Sequence, residues 1–462
     1  PGRPFLFTIP ATGARPMTFR AEGLPPGLVL DEATGRITGA IARPGTHEVV
    51  LHASNARGAA TRSLRIQVGD TICLTPPLGW NSWNCWAHAV DDGKIRATAR
   101  AMVEKGLIHH GWTYMNIDDC WQGVRGGALG ALQPNEKFPD MKALADFVHG
   151  LGLKLGIYST PWITSYAGFC GGSSDREDGA WDKALHGKDR RHGKFKFDRN
   201  DAAQWAAWGI DYLKYDWGPN ELESMERMAA ALEGCGRDIV YSLSNTAPIA
   251  LAEALGRRAN LWRTTGDIRD GWDFGQSDGR GAQGIRDIWR YHGRWAKFQG
   301  PGHWNDADML VVGKVGWGAL RPTNLSGDEQ YVHISLWCLW SAPMLLGCPV
   351  EELDDFTLSL LTNDEVLALH QDSLGLQAAA VAGDEASEVL AKKLEDGSLA
   401  VGLFNLGLLP AEVEVRWPAL GLSGPQRVRD LWRQRDVGRF ADRFAATVPG
   451  HGVVLVRMSP PE

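Results

Sequence analysis

The sequence predicts a multidomain chain in which a (β/α)8 TIM barrel is flanked by two antiparallel β-sandwich domains. Three observations point there. The chain has 462 residues, more than one small core accommodates. A strand, loop, helix rhythm repeats eight times over roughly 300 residues in the middle. On either side of that stretch, apolar and polar residues alternate in short runs broken by Gly, Pro, Asn and Asp.

The elements follow in chain order. Residues 1–72 carry six short strand candidates, FLFTI, MTFRA, LVLD, ITGAI, HEVVLHAS and SLRIQV. The string LPPGLVLDEATGRITG followed by GTHEVVLHASNARGAA resembles the immunoglobulin-like modules attached to bacterial extracellular enzymes. That resemblance implies an immunoglobulin-like β-sandwich with a spacer or binding role. Residues 73–375 form the expected barrel, with strands ending near Asn84, Asp119, Thr160, Gly218, Asn245, Asp267, Asp308 and Gly347. Apolar residues recurring at three and four predict helices over Lys94 to Lys105, Asp140 to His149, Leu222 to Leu232 and Glu329 to Trp340. About 40 residues separate Tyr158 from the helix near Ala202, longer than a connection in a compact domain without a role of its own, and this 161–199 insert should overhang the active face. Residues 376–462 alternate again (EVLAKKL, LAVGLFNL, EVEVRW, RVRDLW, GVVLVRM) and predict the carboxy-terminal antiparallel domain.

Composition narrows the function. A net charge of -7 spread along the chain leaves no basic stripe, so nucleic acid is not an expected partner. No apolar run reaches the length of a membrane span, and the chain opens without an export signal, so it is expected to be soluble. Seven cysteines lie scattered without Cys-x-x-Cys spacing. Twenty tryptophans and 55 glycines suit a sugar-binding face, because indole stacks on apolar sugar faces and glycine lets loops turn tightly; tryptophan is also core filler. No Walker loop, Gly-x-Ser-x-Gly elbow or His-rich metal motif occurs, so neither a metal nor another cofactor is expected.

The chemistry lies at the strand ends. Hydrolysing a glycosidic bond with retention needs two carboxyl groups about 5 to 5.5 Å apart. Asp216 ends LKYDWG, and Lys214, two residues before it, points to the same side of the strand. A cation there should lower the Asp216 pKa and keep it ionised as a nucleophile requires. Asp267 follows in WRTTGDIRDGWD, with Arg263 four residues earlier; Asp270 is its rival, and spacing does not choose between them. Adjacent Asp118 and Asp119 could accept hydrogen bonds from neighbouring sugar hydroxyls. Trp80, Trp83, Trp121, Trp162, Trp217, Trp262 and Trp304 all fall near strand ends, as a sugar platform would.

TPPLGWNSWN, MNIDDCW, LGIYS, LKYDWG, WRTTGDI and GHWNDADML, in this order, resemble glycoside hydrolase family 27, the α-galactosidase and α-N-acetylgalactosaminidase family. The resemblance spans about residues 74 to 460. It implies a retaining double displacement with Asp216 as nucleophile and Asp267, rather than Asp270, as acid/base. It places Asp118 and Asp119 on the 4- and 6-hydroxyls and Lys214 on the 3- and 4-hydroxyls. By the same resemblance Trp80, Tyr158, Arg263 and Asp308 are expected to line the pocket, and Trp217 and Asn245 are also expected in the binding set. It also implies a Cys85–Cys120 disulfide. The chain departs from the pattern in three places: Trp217-Gly218 stands where Asn-Cys usually follows the nucleophile, Ser244-Asn245-Thr246 replaces the Cys-Glu-Trp whose Glu reads the 2-hydroxyl, and the 161–199 insert is long. The expectation is therefore a secreted or periplasmic enzyme that releases terminal α-D-galactose from an oligosaccharide or glycoconjugate. α-N-Acetylgalactosaminidase, β-L-arabinopyranosidase or isomaltose-releasing activity are the alternatives within the family, and a non-catalytic carbohydrate-binding protein is the alternative outside it.

Overall fold

A computed structural model describes residues 1–276 and 278–461. Eight parallel strands make the central sheet: β1 (Leu78–Asn81), β2 (Tyr114–Asn116), β3 (Lys154–Ser159), β4 (Tyr212–Asp216), β5 (Val240–Ser244), β6 (Leu261–Arg263), β7 (Trp304–Asp306) and β8 (Met344–Leu346). Their order runs β7-β6-β5-β4-β3-β2-β1-β8. Leu310, just past β7, bridges in parallel to Leu346 and closes the ring. The strands are short and almost wholly buried, as parallel strands covered by helices must be.

The predicted helices form at Asp92–Glu104, Met141–Gly150, Leu222–Gly234 and Gly327–Trp340. Their starts are written in the sequence. Asp91 and Asp140 cap the first two by accepting from the Lys94 and Ala143 amides, and Ser326 and Glu329 form a reciprocal capping box on the last.

At the amino end, two three-stranded antiparallel sheets (5–8, 36–39, 28–31 and 18–22, 45–55, 58–68) enclose their own core around Phe19, Ile37 and Val49. All six predicted strands are present. The Thr8 hydroxyl donates to the Gly152 carbonyl at 2.7 Å and Arg3 pairs with Asp238 at 3.0 Å, tying this domain to the barrel. At the carboxy end a six-stranded antiparallel sheet faces a two-stranded one (411–416 with 443–448). The sequence pattern missed strands 379–383, 435–440 and 443–448, two of which are largely exposed and show little alternation. One face of the larger sheet, through Phe404, Leu431 and Leu455, belongs to the same apolar core as the barrel. Lys392 is buried at this junction, its ammonium donating to the Cys338 and Leu369 carbonyls at 2.9 and 2.6 Å and to the Ser341 hydroxyl at 2.8 Å. Burial lowers its pKa to about 8.

Cys85 and Cys120, the pair implied as a disulfide, are both free thiols, as are the other five cysteines. Their surroundings differ. Cys85 turns toward the Ser82 carbonyl and lies near Cys348 and Glu351, whereas Cys120, in the left-handed region at φ 88°, lies near Asp118, Asp119 and Lys137. Among the described residues no helix is long and apolar enough to cross a membrane.

Candidate active site

The carboxyl ends of the strands converge polar side chains on one mouth, where a (β/α)8 fold collects residues from several strands. β1 supplies Asn81, the end of β2 Asp118 and Asp119, and β4 Lys214 and Asp216; Asn245 follows β5, β6 carries Arg263, and Asp308 follows β7. A narrow pocket opens between Asn81, Lys214, Ser244, Arg263, Asp306 and Asp308.

Hydrogen bonds fix the set. Asp118 Oδ2 accepts from Lys214 Nζ and from Asn81 Nδ2, each at 2.8 Å. Asp119 Oδ1 accepts from Gln122 Nε2 at 2.9 Å and from the Cys120 amide at 2.8 Å, and its Oδ2 from the Ala167 amide at 2.9 Å. Arg263 Nη2 lies 2.8 Å from Asp308 Oδ2 and 3.3 Å from Asp267 Oδ1. Asn245 donates to Asp216 Oδ1. Asn245 and Asp308 hold positive φ, 67° and 77°, a conformation uncommon outside glycine that clusters at functional sites.

Asp267 and Asp270, between which spacing does not choose, differ in their surroundings. Asp270 is 4 % exposed and spent in a bidentate pair with Arg321, with the Asn324 amide on one oxygen. The Asp267 side chain is 55 % exposed, at the rim beside Arg263. Asp216, by contrast, is 7 % exposed on the floor.

Two expectations need correction. Lys214 does not hold Asp216 below the ordinary carboxylate range; the Asp216 pKa rises to about 7. Burial is the main cause, the negative charges of Asp267 and Asp118 add to it, and Lys214 only partly opposes them. The ammonium is hydrogen-bonded to Asp118 instead. Asp267 moves the other way: partial loss of solvent at the rim works against its charge, but Arg263, Lys214 and Arg269 outweigh it and lower its pKa. The second correction concerns the tryptophans. Trp80, Trp121, Trp217, Trp262 and Trp304 are fully buried, and Trp217 packs edge-on against Tyr215 with ring centres 5.2 Å apart. All five are packed into the barrel wall, Trp80 and Trp217 of the expected binding set among them. Trp80 donates to the Cys348 carbonyl at 2.8 Å and Trp121 to the Tyr158 carbonyl at 2.8 Å. The Tyr158 hydroxyl faces Asp216, with the Lys214 ammonium 5.5 Å from its ring centre.

Sequence reasoning overlooked Asn81, Asp306 and Tyr166. Asp306 stands two residues before Asp308, a spacing visible in the sequence; it accepts from the Asp308 amide at 2.8 Å, and burial raises its pKa to about 6. Tyr166 lies inside the 161–199 insert, whose pattern gave no signal. Among the described residues no group of three His, Cys, Asp or Glu side chains is arranged for a metal ion.

The family model described as Alpha galactosidase A matches residues 75–372, the one described as Alpha galactosidase C-terminal beta sandwich domain matches 384–458, and an Ig-domain model matches 1–69. An alpha-galactosidase of Oryza sativa is 36% identical over 418 residues, covering 88% of this chain and 91% of that protein. A solved Bacteroides fragilis structure, provisionally assigned as an alpha-galactosidase, is 34% identical with a TM-score of 0.89, covering 100% of this chain and 96% of the other. Alpha-galactosidase I of Mortierella vinacea gives 29% identity and a TM-score of 0.73 over 85% of this chain and 98% of that one.

Proposed function

The chain belongs to the alpha-galactosidase A family, and from that membership we propose that it is a retaining hydrolase that releases terminal α-D-galactose by double displacement. The observation that carries the reading is the division of labour at the mouth: one carboxylate on the floor, one at the rim, and a buried Asp118–Lys214 pair between strands. Asp216 attacks C1 while Asp267 protonates the glycosidic oxygen, and the leaving group departs. Water then enters, Asp267 takes its proton, and the galactosyl ester on Asp216 is cleaved with the original configuration restored. Asp118, Asp119 and Lys214 bind hydroxyls on the far side of the ring; Arg263 fixes Asp308 and Asp267. Asp267 being exposed at the rim fits a leaving group that extends into solvent. The immunoglobulin-like domain supports a secreted or periplasmic destination.

A panel of nitrophenyl glycosides tests the reading. Release from the α-D-galactoside is expected to exceed release from the α-N-acetylgalactosaminide and the β-L-arabinopyranoside; no release from any would sink the proposal. Asp267→Asn should lower turnover about 10²- to 10⁴-fold, most severely for poor leaving groups. Asp270→Asn should stay within a few-fold of wild type, since its carboxylate is committed to Arg321. Comparable losses in both would return the acid/base role to Asp270.

The pH profile follows from the two pKa directions. Catalysis needs one proton on the Asp216–Asp267 pair, which titrates as a unit; the pKa directions rest that proton on Asp216, so it must pass to Asp267 before the carboxylate attacks. Below the lowered pKa of Asp267 both are protonated and no nucleophile exists; above about 7 both are ionised and no acid remains. kcat/KM should therefore plateau through mildly acid pH and fall tenfold per unit above about 7. A plateau reaching pH 9 would contradict the assignment.

A further inference from the structure

We propose that Tyr166, supplied by the 161–199 insert, is a specificity-determining residue that together with Asn245 selects a free hydroxyl at position 2 of the sugar and excludes a 2-acetamido group. The inference rests on the hydrolase reading above and deepens it.

Tyr166 is placed with care. The Ala167 amide bonds Asp119 Oδ2 at 2.9 Å, and the Ser165 hydroxyl also meets Asp119, so the segment is docked on a carboxylate of the pocket itself. Trp162 packs edge-on against the Tyr166 ring at 5.1 Å between centres, and Arg190 lies 5.4 Å from the ring centre while donating to the Tyr166 carbonyl at 2.6 Å. The hydroxyl thus arrives at Gly218, two residues past Asp216. A Cβ on Gly218 would stand 3.3 Å from the Tyr166 hydroxyl oxygen and 3.8 Å from the Asn245 Cβ. The same hydroxyl is near enough to Asp216 and Asp267 for both carboxylates to help burial raise its pKa. Two departures from the family pattern are therefore one feature: a glycine after Trp217 leaves the room that a tyrosine from the insert takes up.

The position relative to the sugar follows from the reaction. When Asp216 bonds C1, the substituent on C2 is vicinal to the forming bond and lies against whatever flanks the nucleophile. Those groups are Asn245, which donates to Asp216 Oδ1, and the Tyr166 hydroxyl. Both are neutral, and each can donate and accept. A hydroxyl at C2 satisfies them; an acetamido group needs the volume that the Tyr166 ring fills. Hydrogen bonds to the 2-hydroxyl strengthen as the transition state forms, so their loss appears in kcat as well as KM.

The test compares 4-nitrophenyl α-D-galactoside, its 2-deoxy analogue and its 2-acetamido-2-deoxy analogue on the full-length wild type, Tyr166→Phe and Tyr166→Ala. Tyr166→Phe should lower kcat/KM about tenfold on the galactoside and leave the 2-deoxy substrate within twofold. Tyr166→Ala should raise the ratio of acetamido to galactoside turnover. An equal loss on galactoside and 2-deoxy substrate, or no loss on either, overturns the proposal while leaving the hydrolase reading intact. Wild type inert toward every α-galactoside defeats both readings.

Discussion

Asp216→Ala is expected to lower kcat on 4-nitrophenyl α-D-galactoside by about 10⁴-fold or more, the scale seen when a catalytic nucleophile is removed. The carboxylate lies at the end of β4, 7 % exposed, with the Asn245 amide on one oxygen. Removing it leaves the Asp118–Lys214 pair and the Arg263–Asp308 pair in place, so substrate still binds. What is lost is the carboxylate proposed to bond C1. Azide is small enough to occupy the vacated space and attacks C1 from the same side, giving a galactosyl azide of inverted configuration without needing Asp267 as base. Product analysis by NMR distinguishes that outcome. A variant that keeps near-normal turnover would move the nucleophile elsewhere.

The second large effect is on stability. Arg125 and Asp201 form a bidentate pair at 2.6 and 2.8 Å, with side chains 2 % and 0 % exposed. The same guanidinium donates to the Gly171 carbonyl at 2.8 Å and lies 4.1 Å from the Phe197 ring centre, while Asp201 accepts from the Leu132 amide at 2.9 Å. Arg125→Met should cost about 3–5 kcal/mol, because Asp201 is left charged and buried with only backbone partners. Arg125→Met/Asp201→Leu should recover much of that loss, which a denaturant series on single and double variants measures. Since the pair also holds Gly171 in the insert, the single variant should lose activity on the 2-hydroxylated substrate ahead of global unfolding. A change under 1 kcal/mol would remove the pair from any account of the insert's order.

Much of this was legible in the residues, for physical reasons that differ by site. The barrel was visible because parallel strands buried on both faces are continuous apolar runs, and the helices between them carry their caps in the sequence. Asp216, Asp118 and Asp119 stood at strand ends and so were candidates from position alone. Electrostatics was not legible. Lys214 shares a face with Asp216 as its spacing requires, yet its hydrogen bond goes across to Asp118 on a neighbouring region of chain, and desolvation decides the Asp216 proton. Nor did the tryptophans declare which side of the barrel wall they occupy, since a buried indole and a stacking one read alike in one dimension. Tyr166 was invisible because its place depends on a loop folding back onto Asp119, a contact with no local periodicity.

Lys392 carries a last consequence, for the way the molecule comes apart. A lysine that donates all three of its protons to groups near the end of one helix and its neighbour, inside a core continuous from barrel to carboxy-terminal sheet, leaves no seam along which those two bodies can separate. They are expected to melt as a single cooperative unit, and truncation at the sheet to expose Phe404's partners and open the barrel. The amino-terminal sandwich, closed on its own core and joined to the barrel by polar contacts, is expected to come away without opening it.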